Sequence, residues 1–185
     1  MSDAPLVLVT VGTDHHPFDR LIHWVDDWLE GSAPEVRCLV QSGTSAPSRA
    51  AAWQRYLPYQ ELQASMREAV AVVCHGGPGT TLGALHLGRV PIVVPRRGAL
   101  GEHVDDHQVA FARRLQASGD IVLAETEAEL HARLDQALRD PAAFRAPALR
   151  PRTAEAVRAF ERLVNDLVAT PQRSPRVRPR PRTTR

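Results

Sequence analysis

The stretch VVCHGGPGTT, residues 72–81, decides the fold. An apolar run ends at Cys74 and His75. Three glycines and a proline follow within four residues, and then two threonines. The apolar run suits a strand buried on both faces. Residues 80–87 read as a helix, with Gly88 where a left-handed closing residue is usual. Strand, glycine turn and helix in that order are the first parts of a βαβ unit.

The same alternation runs outward in both directions. Residues 6–10, 36–40, 53–57, 70–74, 91–94 and 121–123 read as strands. Between them, residues 18–30 place Phe18, Leu21, Ile22, Val25, Trp28 and Leu29 on one helical face. Residues 60–69 and 105–118 read as further helices, the latter followed by Gly119. Thr126-Glu127-Ala128-Glu129 has the form of a capping box opening another helix. A last helix is expected over residues 153–169, stopped by Pro171. Right-handed crossovers then give an α/β fold, an open parallel sheet with helices on both faces.

The chain has 185 residues, enough for one domain with a sizeable core. Only 5% of residues are aromatic, which suits an α/β protein rather than an all-β sandwich. Residues 1–170 are read as one domain and residues 171–185 as a tail. The tail is rich in proline and arginine and cannot form a packed core. It holds six arginines and no acid, which leaves 17 basic residues against 21 acids in the body. A solvated end or a contact with anionic membrane both fit it. Nucleic acid does not, since no aromatics are interleaved with the arginines. Cys38 and Cys74 match no ligand spacing, so no metal site is expected from them; two buried thiols in a reducing compartment fit best. Residues 6–11 are too short an apolar run for a signal peptide or a membrane span, and a cytoplasmic location is expected.

In an open parallel sheet, ligands sit at the carboxyl ends of the strands. Three loops fall there: residues 11–17, 75–81 and 96–106. In the second, glycines allow close backbone approach and the helix start offers unpaired N–H groups, so the turn suits an anion such as phosphate. Thr80 or Thr81 could cap the helix or donate to the ligand. A tight turn with no ligand is the alternative. A Walker A loop requires a lysine, and the chain has none: all 23 basic residues are arginine. The spacing Gly77-x-Gly79-x-x-x-Gly83 after the fourth strand also departs from a dinucleotide fingerprint. His15 and His16 follow Gly12 and Thr13 in the first loop. In the third, Asp105 and Asp106 read as partners of the helix dipole, and His107-Gln108 offers groups for sugar hydroxyls.

Three ordered segments, VTVGT with FDRLI, then HGGPGTTLGALHLGRVPIVVP, then EHVDDHQ, resemble the C-terminal domain of family 28 glycosyltransferases. The likeness is to the single-domain type, such as the soluble catalytic subunit of the dolichol-pathway UDP-GlcNAc transferase and bacterial exopolysaccharide subunits. The resemblance implies a Rossmann-like half of a GT-B fold that binds a UDP-sugar. It also implies an inverting, metal-independent transfer, no cofactor, and a membrane-anchored partner that holds a lipid-linked acceptor. By position, His75, Gly76, Gly77, Gly79, Thr80 and Thr81 would hold the diphosphate, flanked by Gly12 and Thr13. Asp106, His107 and Gln108 would meet the donor sugar, and Tyr59 the uracil. The family's usual ribose-gripping acid falls at Gly83, so Glu102 or another group would have to replace it. A catalytic base is not identified; His15 and His16 are the local candidates. The departure at Gly83 keeps a second reading open, a non-catalytic module that stabilises a partner subunit. A sugar-nucleotide epimerase on the same half-fold is disfavoured, since such enzymes carry both halves in one chain.

Overall fold

The computed structural model describes residues 4–31 and 35–146. The expected last helix and the basic tail lie outside the described residues. Six parallel strands form one sheet in the order β3-β2-β1-β4-β5-β6. The strands are β1 (Leu6–Thr10), β2 (Arg37–Gln41), β3 (Ala52–Gln54), β4 (Ala71–His75), β5 (Ile92–Val94) and β6 (Val122–Leu123). The helices are α1 (Asp19–Gly31), α2 (Tyr59–Glu68), α3 (Pro78–His86), α4 (His107–Ser118) and α5 (Glu127–Arg139).

Alternation along β1 divides the core. Val7 and Val9 pack with Leu21, Ile22 and Val25 of α1 and Leu130 and Leu134 of α5. Leu6 and Leu8 point the other way, toward Met66 of α2 and Ala84 of α3. Cys74 and Val93 meet Ala112 of α4 on that second face. Helices therefore cover both faces, and the central strands are buried throughout, as their unbroken apolar runs predict. Asp26 is fully buried in α1, where it accepts hydrogen bonds from the Ser48 hydroxyl and the amides of Arg49 and Ala50. That single carboxylate fixes the small-residue loop before β3. Burial pushes both thiols, Cys38 and Cys74, up to about 12, so neither is a nucleophile.

Several boundaries shift by a residue or so, the strand expected over 53–57 is only Ala52–Gln54, and three differences have local reasons. Helix α3 starts at Pro78, two residues early, because proline fits the first helical position, where no N–H is needed. His75 belongs to β4, paired in register with Val94, and not to the turn. Helix α4 begins at His107, so Asp105 and Asp106 precede it. Asp105 instead accepts from the His107 amide and Asp106 from the Gly98 amide. The Thr126–Glu129 capping box is present as expected.

Candidate functional site

Strands β1 and β4 are neighbours, and the chain leaves them toward opposite edges of the sheet. At such a switch point the loops diverge and a crevice opens at the carboxyl ends. A cleft of about 790 Å³ occupies it. Gly12, Thr13, Asp14 and His15 form one wall, and His75, Gly77, Pro78, Gly79 and Thr80 the facing one. Gln41, Leu57, Tyr59 and Leu62 close the side toward β3, and Gln108 closes the side toward α4.

The glycine turn is shaped around a histidine. A Cβ on Gly12 would lie 2.4 Å from His75 Cε1, and one on Gly77 would lie 2.3 Å from His75 Nε2. Both glycines are therefore needed because an imidazole fills the space between two loops. Gly12 also has φ of 81°, a region L side chains rarely adopt. Gly76 is closed by Gln108, whose Cβ and carbonyl oxygen would lie 3.0 and 3.1 Å from an added Cβ. At the start of α3, Pro78 has no N–H and the Thr81 amide already bonds the Gly77 carbonyl. Gly79 and Thr80 thus carry the first-turn amides open to the cleft, with no side-chain cap over them.

His75 is 9% exposed, and its Nδ1 has no hydrogen-bond partner. Burial, followed by the charge of Arg96, lowers its pKa from 6.5 to about 4. The ring is therefore neutral at pH 7. Because the folded value lies below the unfolded one, the neutral ring's contribution is intact above pH 6.5. It is lost as pH falls from 6.5 toward 4. Urea unfolding at pH 7.5 and 4.5 is expected to show a loss of about 2–3 kcal/mol in wild type that His75→Asn does not share. Equal acid losses in the two proteins would refute this assignment.

Arg96 lies under the cleft with 0% exposure. Its Nη1 donates to the carbonyls of His16 (2.7 Å) and Glu102 (2.9 Å), and its Nη2 to that of Val11 (2.8 Å). The guanidinium sits 4.9 Å from the Phe18 ring centre. One side chain thus ties the loop after β1 to the loop after β5. Burial lowers its pKa, and Asp14 and Glu102 counter that shift. Asp14 is drawn down to about 2: its partial burial is outweighed by hydrogen bonds from the His16 amide and ring, aided by Arg96. Gln41 braces the remaining side, donating to Thr10 Oγ1 and accepting from the Leu57 amide.

The expected site residues divide accordingly. Gly12, Thr13, Tyr59, His75, Gly77, Gly79, Thr80 and Gln108 meet at the cleft, with His15. Thr81 is turned inward, its hydroxyl donating to the Gly77 carbonyl. Glu102, expected to replace the ribose-gripping acid, is absent from the cleft lining and engaged elsewhere. It is 5% exposed, and Arg20 grips both its oxygens at 2.7 and 2.8 Å while the Arg97 amide donates to one of them. Asp106 borders a separate hollow with Arg97 and Arg113, and His107 is exposed beside Asp105. Arg96 and Gln41 were not anticipated from sequence.

The profile of the glycosyltransferase family 28 C-terminal domain matches residues 6–167. Among solved structures, MurG of Acinetobacter baumannii is similar, with a TM-score of 0.54 and 21% identity over 91% of this chain and 50% of that one. The glycotransferase of kitacinnamycin has a TM-score of 0.58 and 18% identity over 89% of this chain and 42% of its own. A putative UDP-N-acetylglucosamine 2-epimerase from Listeria monocytogenes gives 0.58 and 15% over 91% and 46%. At these identities the likeness is one of fold, and the chain spans half or less of each solved chain. No curated protein matches it. The sheet order, the cleft at the switch point and the matched span agree: the chain belongs to the family of glycosyltransferase family 28 C-terminal domains and has the fold of a GT-B half.

Proposed function

We propose that the chain is the donor-binding part of an inverting glycosyltransferase. It takes a UDP-sugar, UDP-GlcNAc or another UDP-hexose, as substrate. The observation that carries this is the cleft wall where neutral His75 stands beside the uncapped start of α3. A diphosphate there would meet the open amides of Gly79 and Thr80 at the positive end of a helix, and His75 can donate one more hydrogen bond. As the acceptor hydroxyl attacks the anomeric carbon and the sugar–phosphate bond breaks, charge builds on the departing UDP. Fixed N–H donors stabilise that charge without needing a metal. Tyr59 and Leu62 offer a flat, partly apolar side for the uracil, and Gln108 a polar group for the sugar.

The acceptor side belongs to a membrane-anchored partner carrying a lipid-linked sugar, in polysaccharide or glycoconjugate synthesis at the cytoplasmic face. The resemblance to the single-domain type of this family supports this reading. No helix among the described residues is long and apolar enough to cross a membrane. The acceptor's proton needs a base, and His16, held by Asp14 at 2.6 Å, and His15 are the groups this chain offers.

A second reading, a non-catalytic module that supports a partner transferase, is favoured by Gly83. By the family resemblance the ribose-gripping acid falls at this position, and an added Cβ there meets nothing within 4 Å, so a longer side chain would have room. Calorimetry with UDP and UDP-GlcNAc on the full chain separates the two. Binding is expected, weakened about tenfold or more by His75→Ala through the lost hydrogen bond to a charged group. Gly83→Glu is expected to tighten it. No binding of either nucleotide at millimolar concentration overturns the donor-site reading and leaves the second.

A further inference from the structure

We infer that Asp14, His15 and His16, with His103 from the opposite loop, form a binding site for one divalent transition-metal ion of the zinc class at the mouth of the cleft. Asp14 is the hub. Its Oδ1 lies 2.6 Å from His16 Nδ1 and 3.7 Å from His15 Nδ1, and its Oδ2 lies 3.8 Å from His103 Nε2. An ion held tetrahedrally by nitrogen and oxygen at about 2.0–2.1 Å spaces its ligands roughly 3.3 Å apart. Ligand atoms of Asp14, His15 and His16 all lie within 4.8 Å of one another, and a side-chain shift would bring in His103 from the other carboxylate oxygen. Three imidazoles and one carboxylate are a donor set that suits zinc and disfavours magnesium.

The far side of His103 supports the assignment. Its Nδ1 is buried and has no hydrogen-bond partner. The carboxylate it faces is Asp105, with Oδ1 at 3.8 Å. A histidine that binds a metal through one nitrogen usually points the other at a carboxylate, which fixes the ring. Arg96 does not oppose the ion directly. Its guanidinium is turned onto main-chain carbonyls, and Asp14 and Glu102 balance its charge.

The ion would clamp the loop after β1 to the loop after β5 from the solvent side, above the tie that Arg96 makes from below. The site shares residues with the donor reading: Asp14 and His15 line the cleft, and His15 and His16 are the bases this chain offers, so a bound ion would hold both rings away from the acceptor's proton.

The test titrates zinc chloride into the chelator-treated full chain against a chromophoric competitor at pH 7.5, with magnesium chloride as a parallel arm. One zinc per chain and no magnesium binding are expected. His103→Ala and His15→Ala should each weaken zinc at least tenfold, and zinc should raise the melting temperature of wild type more than that of either variant. His15 is 82% exposed, so its loss leaves the fold intact. His86→Ala, on the exposed side of α3, should bind zinc as wild type does. Equal zinc affinity in wild type, His103→Ala and His15→Ala, or no stoichiometric binding, would overturn the site. UDP titration with and without zinc keeps this result separate from the donor reading.

Discussion

Truncating Arg96 to alanine is expected to cost about 3–5 kcal/mol of stability, a large part of what holds a domain of this size together. The guanidinium is wholly buried, and its loss would leave the carbonyls of Val11, His16 and Glu102 without the donor they share. It would also leave a void against Phe18. Arg96→Lys keeps the charge but cannot reach carbonyls on two loops with one planar fork, so an intermediate loss is expected. Urea denaturation at pH 7.5 measures both. A loss below about 1 kcal/mol in the alanine variant would mean the loops are held by something else. Where the alanine variant stays folded, UDP binding should still fall, because the loop after β1, one wall of the cleft, has been released.

The second large effect concerns Gly77 and His75. Gly77→Ala is expected to cost about 2–3 kcal/mol, the range for forcing an atom into packed space. The backbone there is not the obstacle, since φ −75° and ψ 131° accept any residue. The His75 ring, 2.3 Å from the new Cβ, is the obstacle. In a His75→Ala background the same change should cost little, giving a coupling of about 2 kcal/mol in a double-mutant cycle. Gly12→Ala should behave differently. It also meets the ring, but its positive φ adds backbone strain that removing His75 cannot relieve. Equal costs of Gly77→Ala with and without His75 would dismiss the ring as the cause.

The sheet was legible because each central strand is an apolar run bounded by glycine or proline, and such runs mean burial on two faces. The position of the cleft followed from topology alone, and so did most of the residues lining it. What stayed hidden depended on long-range contacts. Arg96 sits in a chain whose basic residues are all arginine, so nothing in its type marks it as buried. Glu102 looked available beside two glycines, and only the fold brings Arg20, 82 positions away, onto both its oxygens. Asp14 and His103 belong to loops almost ninety residues apart, and the cluster they make with His15 and His16 exists only in three dimensions. Thr81 could not be told from Thr80 by sequence, since one step along a helix decides which hydroxyl faces inward.

The ring between two glycines also bears on descent. Positions 12, 75 and 77 cannot drift independently: while a histidine stands at 75, neither glycine can gain a side chain without a collision. A lineage that replaced the histidine with a small residue would free position 77 to vary, while position 12 would stay bound by its left-handed backbone. Among related sequences, variation at 77 should therefore accompany loss of the histidine, and glycine at 12 should outlast it.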